Sequence, residues 1–121
     1  MLQLSHKGLK VYQQGLNLVA EVYEKTKSYP KEEQFILVSQ LRRAVISVCG
    51  NLAEGAARRS YAEKKRFYEI SRSSLVEVDT QIEISLILKY LNRNEIIALE
   101  PHLESVFKML SKMIVNIDHG R

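Results

Sequence analysis

A single cysteine, Cys49, stands among the 121 residues, so the chain can close no disulfide within itself and a reducing compartment is the simpler expectation. Tryptophan is absent, and proline occurs only at Pro30 and Pro101. With so few breakers, long stretches are free to run as helix. No apolar run approaches the ~18 residues of a membrane span, and Met1 to Lys10 lack the basic-then-apolar pattern of a secretory signal. A cytoplasmic protein with no membrane partner is therefore expected. Glycine-rich phosphate loops, zinc-type cysteine spacings and a Gly-x-Ser-x-Gly turn are all missing. A di-iron bundle needs Glu-x-x-His on facing helices, yet no carboxylate lies three residues before His6, His102 or His119. Neither metal nor cofactor is expected, the three histidines are assigned to the surface, and the chain is read as no enzyme.

What the sequence has is helical periodicity. Leu9, Tyr12, Leu16, Val19 and Tyr23 recur at spacings of three and four, predicting a first helix from Gly8 to about Lys27 that ends at Ser28-Tyr29-Pro30. Pro30, followed by Glu32 and Glu33, is suited to open a second helix. Along it, Val38, Leu41, Val45, Val48 and Leu52 form one apolar stripe, and Ile46, Cys49, Ala53 and Ala56 a second. Cys49 among them reads as a packed, inert thiol. Gly55 offers a stop, though Ala56-Ala57 can add a turn.

Ser60-Tyr61-Ala62-Glu63 has the form of a capping box, so a third helix starts there and meets no Gly or Pro before Asn92. Asn92-Arg93-Asn94 is the expected turn. Ile96, Leu99, Leu103, Val106, Leu110, Met113 and Ile117 then keep a three-four alternation through a fourth helix, with a kink favoured at Pro101. No repeat or low-complexity segment interrupts the pattern. Four amphipathic helices with short connections predict an all-α, antiparallel up-down-up-down four-helix bundle, one domain spanning residues 1–121.

Two groups of polar residues stand out. Arg42, Arg43, Asn51 and Glu54 lie between the apolar stripes of helix two and need partners if buried. An antiparallel turn centred near Arg58 and Arg59 sets Ala44 opposite Ser74 and Ser47 opposite Ser71, and brings Arg42 or Arg43 within reach of Glu77. These five are read as a structural polar seam rather than catalytic groups, with Asn51 and Glu54 bonding turn backbone. The second group is basic: Arg58, Arg59, Lys64, Lys65, Arg66 and Arg72 gather around the connection between helices two and three. Cations near a helix amino terminus are mildly unfavourable, which an anionic partner would offset, and Tyr61 and Tyr68 stand nearby to stack on bases. The alternative is a solvated helix end balanced by Glu63 and Glu69. A formal net charge of +4 favours acidic partners without deciding between the two.

Gln40-Leu41-Arg42-Arg43-Ala44, Ser47 and Asn51-Leu52-Ala53-Glu54-Gly55 together resemble the signature block of a bacterial four-helix bundle family, first named for proteins encoded in intervening sequences of large-subunit ribosomal RNA genes. The resemblance covers nearly the whole chain. Tyr23 to Pro30 is similar to the family's close of helix one, with Tyr29 in place of Phe. Arg59-Ser60, Phe67-Tyr68-Glu69-Ile70 and Ser73-Ser74-Leu75-Val76-Glu77 resemble its third-helix run, with Ser73 for Gly, while Tyr12 stands where Trp is common. Relatives include the accessory protein of diversity-generating retroelements, a basic pentameric barrel. That resemblance implies a homo-oligomer, a pentamer, with structured RNA or DNA and a reverse transcriptase as partners. Ile84, Ile87, Tyr90, Met109 and Met113 exceed what one small core uses, which also points to self-association unless a kinked helix four wraps more of the bundle. The expected function is nucleic-acid binding through the basic surface, the alternative a structural adaptor that binds a protein.

Overall fold

Each predicted helix exists, and each buries one face against two neighbours. The computed structural model describes residues 1–120. Its α-helices are α1 (Lys10–Thr26), α2 (Leu37–Ala57), α3 (Tyr61–Ile87) and α4 (Arg93–Asp118), preceded by 3-10 turns at Ser5–Gly8 and Lys31–Glu33. α1 packs on α2 and α4, and α3 packs on α2 and α4; among the described residues the diagonal pairs do not meet. This is the square, antiparallel four-helix bundle. Its centre is Leu18 and Val22 of α1, Leu41, Val45, Val48 and Leu52 of α2, Leu75 and Val78 of α3, and Leu99, Val106 and Leu110 of α4, all nearly inaccessible.

The first helix is rotated from the face its sequence suggested. Val11, Gly15, Leu18, Val22 and Thr26 are buried, whereas Leu16 is exposed. Gly15 explains the rotation: a Cβ there would stand 3.0 Å from Cys49 Sγ, so its bare backbone lets α1 lie close to α2. The second apolar stripe on α2 is only partly real, since Cys49 is buried but Ile46 is exposed. α2 also starts later than Pro30: the chain makes a 3-10 turn, leaves Phe35 and Ile36 in solvent, and enters the helix at Leu37.

Connections carry most of the remaining differences. α3 stops at Ile87, five residues before Asn92, without a Gly or Pro. Lys89 supplies the left-handed residue instead, with φ 64°. Tyr90 N–H donates to Ser85 O at 2.9 Å and Lys89 N–H to Leu86 O at 3.0 Å, which closes a Schellman motif. Tyr90 is held in place by a hydrogen bond from its hydroxyl to Glu33 Oε2 (2.9 Å) and by packing on Tyr29. Asn92 is consequently no turn residue but the N-cap of α4, in a full capping box with Glu95. At α3 only half of the expected box forms: Glu63 N–H donates to Ser60 Oγ at 3.1 Å, while the Glu63 carboxylate faces Arg58 Nε at 3.9 Å. α4 runs unbroken through Pro101. Pro101 and Ile97, whose carbonyl loses its donor, are both on the solvent side, where water replaces the missing bond.

Candidate nucleic-acid interface

Antiparallel packing brings the end of α2, the start of α3, the end of α4 and the start of α1 together at one pole. The half of the bundle on that side carries Lys7, Lys10, Arg58, Arg59, Lys64, Lys65, Arg66, Arg72, Lys108 and Lys112 against Glu54, Glu63, Glu69 and Asp118, a surplus of six positive charges, with Lys108 at its inner margin beside Asp79 and Glu104. At the opposite pole the acids Glu21, Glu24, Glu32, Glu33, Glu77, Asp79, Glu83, Glu95, Glu100 and Glu104 outnumber seven cations by three. The modest net charge thus conceals a strongly polarised molecule. Lys10 and Lys112, distant from the basic cluster in sequence, join it only through the fold.

The six cations singled out from sequence are not equivalent. Arg58 is held by Glu54 (2.8 Å) and Glu63, and stacks over Phe67 at 4.8 Å from the ring centroid. Lys64 reaches back to the carboxyl end of α2, donating to Ala56 O at 3.0 Å and Gly55 O at 3.4 Å. That contact supplies the negative partner expected of an anionic ligand, because the last carbonyls of a helix carry its negative pole. Lys65 pairs with Asp118 across α3 and α4 at 2.7 Å, and that hydrogen bond, followed by the carboxylate's charge, raises the pKa of its ammonium. Arg72 donates to Ser111 Oγ at 3.1 Å. Arg59 and Arg66 are exposed and form no ion pair among the described residues. Of the two tyrosines, Tyr61 is exposed and Tyr68 is buried in the core, so Tyr68 is no stacking platform.

The polar seam differs more. Ser47 Oγ meets Ser74 Oγ at 2.8 Å and Ser71 donates to Val48 O at 2.7 Å, so α2 and α3 are displaced from the expected pairing of Ser47 with Ser71. Arg42 turns to α1 instead of α3: its Nε donates to Thr26 Oγ1 (3.0 Å), its Nη2 to Tyr23 O (3.4 Å), and its guanidinium lies over the Tyr23 ring. Neither Arg42 nor Arg43 forms an ion pair with Glu77, and Arg43 and Glu77 are both exposed. Asn51 donates to Ser47 O and Ser47 Oγ, each at 2.9 Å, within its own helix; Glu54 pairs with Arg58 rather than with turn backbone. α2 runs on through Ala56 and Ala57, the alternative to a stop at Gly55, and Gly55 lets α3 pack closely on α2, since a Cβ there would lie 2.6 Å from Tyr68 Cε1.

Other candidate chemistry is limited. Burial pushes the Cys49 thiol up to about 11, so it stays protonated and unreactive near neutral pH. His6 is buried against the edge of Tyr12, contrary to its surface assignment, while His102 lies 3.3 Å from Gln14 Oε1. Among the described residues no three His, Cys, Asp or Glu side chains converge as a metal site, and no helix is long and apolar enough to cross a membrane.

A model of the family described as 23S rRNA-intervening sequence protein matches residues 7–112. The chain belongs to that family. The match takes in α1, α2 and α3 whole and α4 as far as Lys112. No curated protein matches the chain. Among solved structures, this family member is similar to a protein of unknown function from the S23 ribosomal protein family of Bacteroides thetaiotaomicron. The TM-score is 0.79 at 18% identity, over 86% of this chain and 97% of that one, a likeness of fold. In this intervening-sequence protein the polar signature residues Gln40, Arg43, Ser47, Ser74 and Glu77 line an open groove between α2 and α3 instead of the core.

Proposed function

We propose that this protein is a non-enzymatic RNA- or DNA-binding module that works as a homo-oligomer and grips phosphate backbone with its basic pole. The observation that carries the reading is the segregation of charge, with a surplus of six cations at one pole of a molecule whose net charge is +4. Phosphates need freely available cations, so Arg59, Arg66 and Lys112 make the contacts, while Lys64 and Lys65 hold helices together beneath them. Binding of this kind is steeply salt-dependent and weakly selective for sequence. A family named for proteins of ribosomal RNA intervening sequences agrees with an RNA partner.

The experiment is a salt series of binding to a structured RNA and a duplex DNA, with wild type beside the Arg59→Gln/Arg66→Gln/Lys112→Gln variant. Each lost phosphate contact lowers the slope of log affinity against log salt by about 0.7 to 0.9, so the triple variant loses about 2 to 3. No binding by wild type at low salt overturns the reading. The alternative, a protein adaptor, is favoured by an apolar groove between α3 and α4 lined by Leu75, Val76, Leu103 and Phe107. Absence of nucleic acid that co-purifies and is removed by high salt would favour it.

A further inference from the structure

We infer that Tyr61 is a stacking platform for an unpaired base, so that the nucleic acid preferred at the basic pole is single-stranded, in a loop or at a strand end, rather than continuous duplex. The inference rests on the proposed function and names the class of ligand that its basic pole takes.

Four aromatic residues lie at that pole, and three are already engaged. Tyr12 meets the His6 ring edge-on at 4.7 Å between centroids, and Tyr68 is buried in the core. Phe67 carries two guanidinium groups, Arg58 at 4.8 Å and Arg66 at 5.4 Å from its ring centroid. Tyr61 is 52% exposed and, among the described residues, pairs with no other ring and no guanidinium. The cause is its place in the chain. Helical side chains lean toward the amino end, over the preceding turn, and Tyr61 opens α3, so it has no preceding turn to lie on. Lys64 and Lys65, three and four positions on, share its face of the helix but are committed to Ala56 O and Asp118, so neither covers the ring.

A cation stands beside the ring. Arg58 and Ser60 both have extended backbone and turn their side chains back on the protein, Arg58 to Glu54 Oε2 at 2.8 Å and Ser60 to the Glu63 N–H at 3.1 Å. Arg59, between them, is exposed and forms no ion pair among the described residues. Two residues separate Arg59 from Tyr61, so their Cα atoms lie within about 7 Å, close enough for one nucleotide to give its phosphate to the guanidinium and its base to the ring.

Phosphate contacts alone favour the opposite ligand. Duplex has the higher charge density, and each neutralised phosphate releases about 0.9 counterion there against about 0.7 on a single strand. A preference for single strand therefore requires a contact to bases. In continuous duplex the base faces are covered by one another, whereas an unpaired base offers a free face to Tyr61. Every base has such a face, which agrees with weak sequence selectivity.

The test measures binding of an unstructured single-stranded RNA and a blunt RNA duplex with the same number of phosphates, across a salt series. Wild type, Tyr61→Ala and Tyr61→Phe are compared, with helicity checked by circular dichroism. Wild type is expected to bind the single strand about fivefold or more tighter than the duplex. Tyr61→Ala is expected to lose about fivefold or more on the single strand and less than about twofold on the duplex, with the salt slope unchanged because no phosphate contact is removed. Tyr61→Phe keeps the wild-type preference, since stacking uses the ring and not the hydroxyl. A fluorescent adenine analogue in the single strand is expected to respond to wild type and Tyr61→Phe but not to Tyr61→Ala. Duplex binding by wild type as tight as single-strand binding, equal losses on both RNAs in Tyr61→Ala, or a Tyr61→Phe that behaves as Tyr61→Ala each overturn the inference and leave the pole a phosphate-binding surface. Binding of neither RNA by wild type at low salt overturns the proposed function and this inference with it.

Discussion

Single residues in this bundle are chosen as much for the space they leave as for the contacts they make. Gly50 and Gly55 lie on the same helix five positions apart, and their surroundings predict opposite responses to one added methyl group. Nothing stands within 4 Å of a Cβ at Gly50, so Gly50→Ala removes only the backbone entropy cost of a mid-helix glycine and raises stability by about 0.5 to 1 kcal/mol. At Gly55 the new carbon meets Tyr68 at 2.6 and 2.8 Å and Phe67 Cβ at 3.1 Å, so Gly55→Ala costs about 1 to 3 kcal/mol. Urea unfolding of both variants checks the pair, and equal effects would exclude close packing as the role of Gly55. The same scale explains why the seam is not legible in sequence. Arg42 has a choice of two neighbouring helices, and Thr26 Oγ1, the Tyr23 carbonyl and the Tyr23 ring offer it more on α1 than Glu77 does on α3.

Helices here start and stop by different means. Their amino ends were legible at Ser60 because capping chemistry is local, and Asn92 with Glu95 has the same local form. The end of α3 was hidden, because its left-handed position is filled by lysine rather than glycine. Lys89 is tolerated because Tyr90, anchored on Glu33 and Tyr29, fixes where the chain must turn. A left-handed L-residue costs about 1 to 2 kcal/mol, and glycine gives back about half of that in unfolded-state entropy. Lys89→Gly is therefore expected to stabilise the protein by about 0.5 to 1 kcal/mol, raising the midpoint of thermal unfolding. A lowered midpoint would mean that the lysine side chain contributes more than its backbone conformation costs. Pro101 is the converse case, a strong breaker signal in sequence that α4 absorbs because the carbonyl it orphans faces water.

The whole molecule is an electrical dipole whose charge gradient is carried chiefly by α3 and α4, against the opposite order of Arg42, Arg43 and Glu54 along α2. α3 has 27 residues and is about 40 Å long at 1.5 Å per residue, so the two ends of the bundle, though not the charges near its middle, lie several Debye lengths apart at physiological salt, where that length is about 8 Å. Each pole then acts on ligands almost alone. Neutralising a charge on the acidic half of α4, away from Lys112, with Glu100→Gln is expected to leave RNA affinity unchanged within twofold near 0.15 M salt. The same variant should strengthen binding only near 0.01 M, where screening reaches about 30 Å. An equal gain at both salts, read in the same binding assay, would place the RNA near α4's acidic half instead.

The number of helices, their class and most of their buried positions were set by the sequence alone, since a spacing of three and four is a local property that any packing of the helices must respect. Local chemistry also marked the cluster around Arg58 and Arg59. Which of those cations are free was decided only by tertiary structure. Lys64 was committed to the carbonyls of α2 and Lys65 to Asp118 by the antiparallel register, and Lys10 and Lys112 were carried to the same pole by it. The physical reason is distance: a charge interacts with whatever lies within a few ångströms, and for residues tens of positions apart only the packed fold determines what that is.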